Sequence, residues 1–275
     1  MTRHIQSMGL PDVSRRRVLS WGIAAGAALA LPRWARAQRP LVPHAALADI
    51  GTPFGTTHGV KTLSTDQSSG ASTAFHSFPA PWKGGGVAHY HSCAEEVYVI
   101  SGDITLNGRD ELTAGSYLYR PGGIVHGHDE GSTGGCRCLI RTDGALDFNY
   151  IENPRSPEEY VEVPSDDGRP HIVHLRAPEM DWSARGAGPS AYGEKILSTD
   201  AKTGAQTSLL RLPAGWRGGV SLDADYGWEW FVIDGDMTCT DGTRFGAETY
   251  SYRPAGGVAF TEAAADTMLL LWKIA

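Results

Sequence analysis

Four side chains in this sequence have the types and spacing to bind a metal ion: His89, His91, Glu95 and His126. His89 and His91 are one residue apart, so in an extended strand they point to the same face. Glu95 follows four residues after His91 and can swing toward them from the next turn or strand, and His126 offers a third imidazole downstream. Packing a core does not call for imidazoles and a carboxylate on one surface, whereas a divalent cation does. Glu96 has the wrong parity to join them, because alternation turns it to the face that carries Tyr98 and Ile100.

The elements that must position these groups are short strands. The chain carries 34 glycines and 16 prolines and few long amphipathic runs, which favours strands and turns over helices. Asn107-Gly108, Asp143-Gly144 and Asp241-Gly242 are turn dipeptides. Tyr98 and Ile100 ask for a cover of their own, either another part of the chain or a partner copy in a homodimer.

The sequence also repeats itself. Leu63-Ser64-Thr65-Asp66 recurs as Leu197-Ser198-Thr199-Asp200, and Pro79-Ala80-Pro81-Trp82 as Pro213-Ala214-Gly215-Trp216, both at an offset of 134. After a slip of one residue, Val99-Ile100-Ser101-Gly102-Asp103 matches Val232-Ile233-Asp234-Gly235-Asp236. Tyr117-x-Tyr119-Arg120-Pro121 matches Tyr250-x-Tyr252-Arg253-Pro254 in the same way. So many anchors in register indicate two related β units. We expect a first domain over 38–146 with the candidate site, a proline-dotted acidic connector over 147–182, and a second domain over 183–275.

At the offset of 133 the second unit has Leu222, Ala224, Trp228 and Ala259 where the first has its four candidate ligands. Trp228 then stands for Glu95 and Trp230 for Val97, and two indoles are expected to fill the space of a site. At 134 the residues are Asp223, Asp225, Glu229 and Phe260, and neither register supplies a histidine.

The whole chain has a formal charge of −7, and residues 1–37 hold six arginines against the single acid Asp12, so the remainder is more acidic still. Such a body repels nucleic acid and anionic membrane, and both are set aside as partners. Ser14-Arg15-Arg16-Arg17-Val18-Leu19 resembles a twin-arginine export signature. An apolar run from Trp21 to Leu31, too short to span a bilayer, follows it, and Ala35-Arg36-Ala37 reads as a cleavage site. Export to the periplasm, with cleavage after Ala37 and no stable membrane insertion, is expected. Cys93, Cys136, Cys138 and Cys239 do not form the spacing of a disulfide framework.

The stretch from His89 to Gly102 resembles the first motif of the cupin superfamily: H-x-H, three or four residues, E, six residues, G. Gly115 to His126 resembles the second: G, five residues, P-x-G, two residues, H. Lys83 stands where the first motif has its leading glycine, and Glu130 where an asparagine often follows the second motif's histidine. The resemblance implies an all-β chain of two tandem cupin (double-stranded β-helix, jelly-roll-like) barrels, with lobes similar to those of ChrR-type anti-sigma factors. It implies one divalent metal ion on His89, His91, Glu95 and His126.

Three imidazoles and one carboxylate suit Fe2+ or Mn2+ foremost, with Zn2+ or Ni2+ also compatible, and they leave coordination positions open. The expected activity is that of a metal-dependent oxidoreductase of dioxygenase type on a small-molecule substrate. Non-oxidative lyase, decarboxylase or isomerase chemistry and a non-catalytic binding or sensing role are the alternatives. His128, which shares the strand parity of His126, and His76, replaced by Leu210 in the second unit, are the candidate catalytic groups.

Overall fold

The computed structural model describes residues 58–84, 87–127, 129–151, 168–257 and 259–275, with the backbone of Val42–Ala46. The proposed export segment, Gly85-Gly86 and His128 lie outside the described residues. Among the described residues the chain is antiparallel strand with two single-turn 3-10 segments, Ala177–Glu179 and Gly188–Ser190, and no α-helix. No described helix is long and apolar enough to cross a membrane.

The strands form two lobes. In the first, one sheet runs in the order Ile172–Arg176, Ser116–Arg120, Glu95–Leu106, Cys136–Thr142, Ser72–Phe78, Gly59–Thr65. The Glu95–Leu106 strand bends at Gly102, and its far half pairs with Asp110–Thr113 and Gly131–Ser132 on the opposite side. Gly102 has φ +79, and a Cβ there would sit 1.8 Å from the Gly135 carbonyl oxygen, so the bend admits only glycine. Gly235, its counterpart, has φ +81 and the same crowding, 2.3 Å from the Asp266 carbonyl oxygen.

In the second lobe the large sheet runs Val42–Ala46, Thr249–Arg253, Gly227–Asp234, Thr267–Ile274, Gln206–Leu212, Tyr192–Thr199, Ser183–Arg185. It is faced by Trp216–Ser221, Ala259–Ala263, Asp236–Cys239 and Arg244–Gly246.

The register confirms the 133 offset in the central strand. Glu95 lies between Thr142 and Arg120, and Trp228 lies between Lys273 and Arg253. The domain boundaries read from sequence do not follow sheet membership. Val42–Ala46, ahead of the first lobe, pairs with Thr249–Arg253 of the second; Ile172–Arg176, ahead of the second, pairs with Ser116–Arg120 of the first. Each lobe therefore lends an edge strand to the other, which covers sheet edges that would otherwise be open.

Tyr98 and Ile100 find their cover within the chain. One apolar cluster joins Phe75, Tyr98, Tyr117, Tyr119 and Leu139 of the first lobe to Leu209, Phe231, Tyr250, Tyr252 and Trp272 of the second, with Ile100 packed against it. Through this layer runs a buried polar network with pseudo-twofold symmetry. Thr207 Oγ1 and Tyr117 OH donate to Glu96 Oε2 at 2.6 and 2.8 Å, and Tyr117 OH also meets Ser198 Oγ at 2.7 Å. In the mirror arrangement Thr73 Oγ1 and Tyr250 OH donate to Glu229, and Tyr250 OH reaches Ser64 Oγ at 2.7 Å. Arg141 bridges both carboxylates, at 3.0 Å from Glu96 and 3.4 Å from Glu229, and Arg169 adds a contact of 3.4 Å to Glu96. Burial alone would raise the pKa of Glu96, but Arg169, Arg141 and its two hydroxyl donors hold it below the ordinary carboxylate value. Tyr117 and Tyr250 recur in the sequence because they tie the two halves together.

Candidate metal centre

His89 and His126 face one another as an isolated antiparallel bridge, each backbone N–H donating to the other's carbonyl at 2.8 Å. This bridge brings the two motifs to one mouth of the first lobe. His91 follows on the same side, its carbonyl accepting from Gly123 N–H at 2.9 Å. The three rings have centroids 4.5, 4.8 and 5.1 Å apart, and ligand atoms within 4.8 Å of one another. Gly127, at φ +89, makes room for them, since a Cβ there would stand 2.5 Å from the His89 ring.

All three imidazoles are oriented in the same way. Nδ1 of His126 lies 2.9 Å from the Ile124 carbonyl, Nδ1 of His89 lies 3.2 Å from that of Val87, and Nδ1 of His91 bonds the Asp147 carbonyl. A carbonyl only accepts, so each Nδ1 must carry its proton, and in the neutral ring each Nε2 presents a lone pair. Nε2 of His126 and Nε2 of His91 are then two acceptors only 3.2 Å apart. A cation between them removes that repulsion, and the donor set fits a divalent transition metal. Two of the rings are also biased toward the neutral form. Burial, reinforced by Arg120 and the neighbouring imidazoles, pushes His126 well below the ordinary histidine value, and burial likewise lowers His89.

Glu95 stands beside this triad. Its Oε2 is 3.7 Å from His126 Nε2 and 3.3 Å from Nη1 of Arg120, the residue directly opposite it in the neighbouring strand. Arg120 and Glu95 are both buried, so the guanidinium orients the carboxylate at the edge of the site. Glu130 completes this polar side: burial first, and then the charge of Glu95, outweigh Arg120 and raise its pKa to about 7.

His76 is not part of the cluster. Its position on Ser72–Phe78 places it against His58 and Phe78, with Nδ1 3.0 Å from His58 Nε2, and burial and the His58 charge lower it to about 3. The cysteines are all free, and burial pushes the Cys93 thiol up to about 12, which removes it as a nucleophile.

Several residues around the site were not legible as functional. The beginning of the expected connector is in fact the rim: Asn149–Tyr150 pairs with His89–Tyr90, Tyr150 opposite His89. Asp147 not only receives His91 Nδ1–H but accepts from the Ser92 backbone N–H at 2.7 Å and the Ser92 hydroxyl at 2.6 Å. The period-two apolar series Leu146, Phe148, Tyr150 was the available signal for a strand. Arg120 was masked by its repeat, Arg253, which in the second lobe bonds Asp241 at 2.9 Å.

The second lobe has no such centre among its described residues. Trp230 and Trp216 are fully buried, with Phe245 and Phe260 set edge-on to Trp230 at 5.5 and 5.4 Å. The second indole in the core is thus Trp216 rather than the expected Trp228, which lies half-buried with Nε1 donating to the Asp223 carbonyl at 2.9 Å. Glu229 belongs to the lobe junction, so Asp223, Asp225 and Glu229 do not converge. Here the residue opposite Ala259 is Ser221 rather than Leu222, in a strand whose pairing shifts register between Arg217 and Val220.

The architecture is that of known cupin structures. A nominal dioxygenase from Nostoc punctiforme superposes with a TM-score of 0.62 at 18% identity, over 78% of this chain and 73% of that one. Salicylate 1,2-dioxygenase from Pseudaminobacter salicylatoxidans gives 0.54 at 13% identity over 74% and 70%. Oxalate decarboxylase from Bacillus subtilis gives 0.53 at 16% over 84% and 76%. At these identities the likeness establishes the fold alone. No curated protein sequence matches the chain. The model of a domain of unknown function, DUF4437, matches residues 54–221, more than half of the sequence, and the chain belongs to that family.

Proposed function

We propose that this protein is a mononuclear metal-dependent oxidoreductase of dioxygenase type, acting on a small organic molecule. The observation that carries the reading is the common orientation of His89, His91 and His126, each with Nδ1–H committed to a carbonyl and Nε2 turned to one point. These three would hold the ion, with Glu95 as a fourth donor steadied by Arg120; this set accepts Fe2+ or Mn2+, which the oxidative reading calls for, as well as Zn2+ or Ni2+. A bound ion of this kind supplies Lewis acidity and a route for dioxygen to react with a coordinated substrate. Arg120 stabilises negative charge on a substrate oxygen nearby, and Glu130, with its pKa near neutrality, exchanges a proton with it. His128 is a further candidate base.

The oxidative reading is supported by the likeness to a salicylate dioxygenase and to the nominal dioxygenase. The chain works as a two-lobed bicupin in which the first lobe does the chemistry and the second is a scaffold. Its site of action is the periplasm, reached by the twin-arginine route with cleavage after Ala37, as the arrangement of Arg15-Arg16-Arg17, the apolar run and Ala35-Arg36-Ala37 supports.

A second reading, non-oxidative decarboxylation, is favoured by one feature, the near-neutral carboxyl of Glu130, and by the likeness to oxalate decarboxylase. Oxygen uptake and carbon dioxide release, measured across aromatic acids, diketones and small dicarboxylates, separate the two. Uptake of oxygen that is lost in His126→Ala supports the first. Metal-dependent turnover at an undiminished rate without oxygen assigns the second, and a natively produced protein free of metal contradicts both.

A further inference from the structure

Six large apolar residues are exposed among the described residues; two of them, Phe148 (52% exposed) and Tyr150 (68%), stand against the triad, and Val87 (49%) and Leu146 (44%) each lie two residues before His89 and Phe148 on the same segments. An exposed apolar patch concentrated at the mouth of a candidate centre needs an occupant. The pairing of Asn149–Tyr150 with His89–Tyr90 fixes how the rings stand. Tyr150 is directly opposite His89, so the two side chains share a face, and Phe148, two residues earlier on that face, reaches His91. Ring centroids are 6.0 Å apart for Tyr150 and His89, 5.2 Å for Phe148 and His89, and 5.0 Å for Phe148 and His91. Phe148 and Tyr150 are near parallel, 20° apart with centroids at 6.2 Å, so two aligned aromatic rings stand beside the histidines.

The surface is also anchored. Asp147 is bound through Ser92, Asn149 Nδ2 donates to Asp147 Oδ2 at 3.0 Å, and Ile151 N–H donates to the Ala88 carbonyl at 2.9 Å. Aromatic rings with few rotatable bonds, held by paired backbone beside open ligand positions, discriminate between flat and puckered molecules at low entropic cost.

We infer that Phe148 and Tyr150 form the substrate platform of the centre, selecting a planar aromatic molecule whose oxygen donors face the histidines. The inference rests on the metal-centre reading, and the test separates their failures. Benzoate and cyclohexanecarboxylate carry the same carboxylate on a flat and on a puckered ring. Calorimetric titration of the metal-bearing protein with each, alongside elemental analysis of every variant, reads the platform without requiring turnover. Wild type should bind benzoate about tenfold more tightly than cyclohexanecarboxylate, the scale expected of two aromatic contacts. Phe148→Ala with Tyr150→Ala should bring the two to near equality while the ion content stays the same. Tyr150→Phe should restore the preference, and Val60→Ser, at an exposed apolar residue away from the rim, should leave it unchanged.

Equal binding of the two acids by metal-bearing wild type, or no binding of either, overturns the platform and leaves the metal centre standing. So does a double variant that keeps the preference and instead loses self-association in gel filtration, because the patch then faces a second copy. A wild type without metal overturns the centre and the platform with it.

Discussion

The two lobes share one plan and treat the same interior differently. In the first, short strands stop at the mouth, His89–Tyr90 is separated from Trp82–Lys83, and three imidazoles converge where the backbone opens. In the second, Trp216–Ser221 runs on as one strand, and Trp216, Trp230, Phe245 and Phe260 occupy the interior. A metal centre needs room, oriented donors and neutral rings; a scaffold needs close packing. The difference shows that the symmetric junction, not the site, is what both lobes retain: Glu96, Tyr117, Thr207 and Ser198 are matched by Glu229, Tyr250, Thr73 and Ser64.

The largest expected effect breaks the first lobe alone. His126→Ala should lower metal affinity by at least about 100-fold, since it removes a ligand while leaving the backbone bridge to His89 in place, and dialysis followed by elemental analysis reads it. Trp230→Ala should do the opposite: a cost of about 3–5 kcal/mol from the cavity left, or roughly 10 °C in Tm, with metal content unchanged. Calorimetry of both variants would thus assign stability and chemistry to separate halves.

The junction gives an effect of similar size that both halves should feel. Arg141→Ala leaves Glu96 and Glu229 short of a counter-charge in a buried layer and should cost about 3–5 kcal/mol. Because the pKa of Glu96 is lowered on folding, its contribution is present above the ordinary carboxylate range and is lost as pH falls through the lowered value. Glu96→Gln should therefore flatten the acid limb of the Tm profile.

The smallest effect sharpens the comparison at one position. His76 titrates at about 3 in the folded chain against 6.5 unperturbed, so its stabilisation is full above pH 6.5 and declines as pH falls toward 3. The slope should be at most about 1.4 kcal/mol per pH unit. His76→Leu, which installs the residue the second lobe uses at Leu210, should remove that slope from denaturant titrations of the metal-free protein.

Much of this was written in the sequence as period and repeat. Strand parity set Glu96 apart from Glu95, and the 133 offset placed Trp228 at the position of Glu95, because both follow from spacing along a strand. The loss of histidines in the second unit was equally plain. What spacing does not carry is contact between distant segments. The rim strand Asn149–Tyr150 takes its meaning from a pairing with His89–Tyr90 some sixty residues earlier, and so it passed for connector. The exchange of edge strands and the donation of Thr207 to Glu96 lie between lobes, where no local period reports them. Arg120 was hidden by its repeat, since recurrence reads as scaffold although its two copies serve different partners, Glu95 and Asp241.

The central claim is that one divalent ion sits on the first lobe and none on the second. Elemental analysis of the natively produced chain, with His89→Ala/His126→Ala and Trp230→Ala in parallel, tests it most directly. The account predicts close to one transition-metal ion per chain in wild type and in Trp230→Ala, and none in the histidine variant. A histidine variant that keeps its ion, or a folded wild type that carries none, would contradict it.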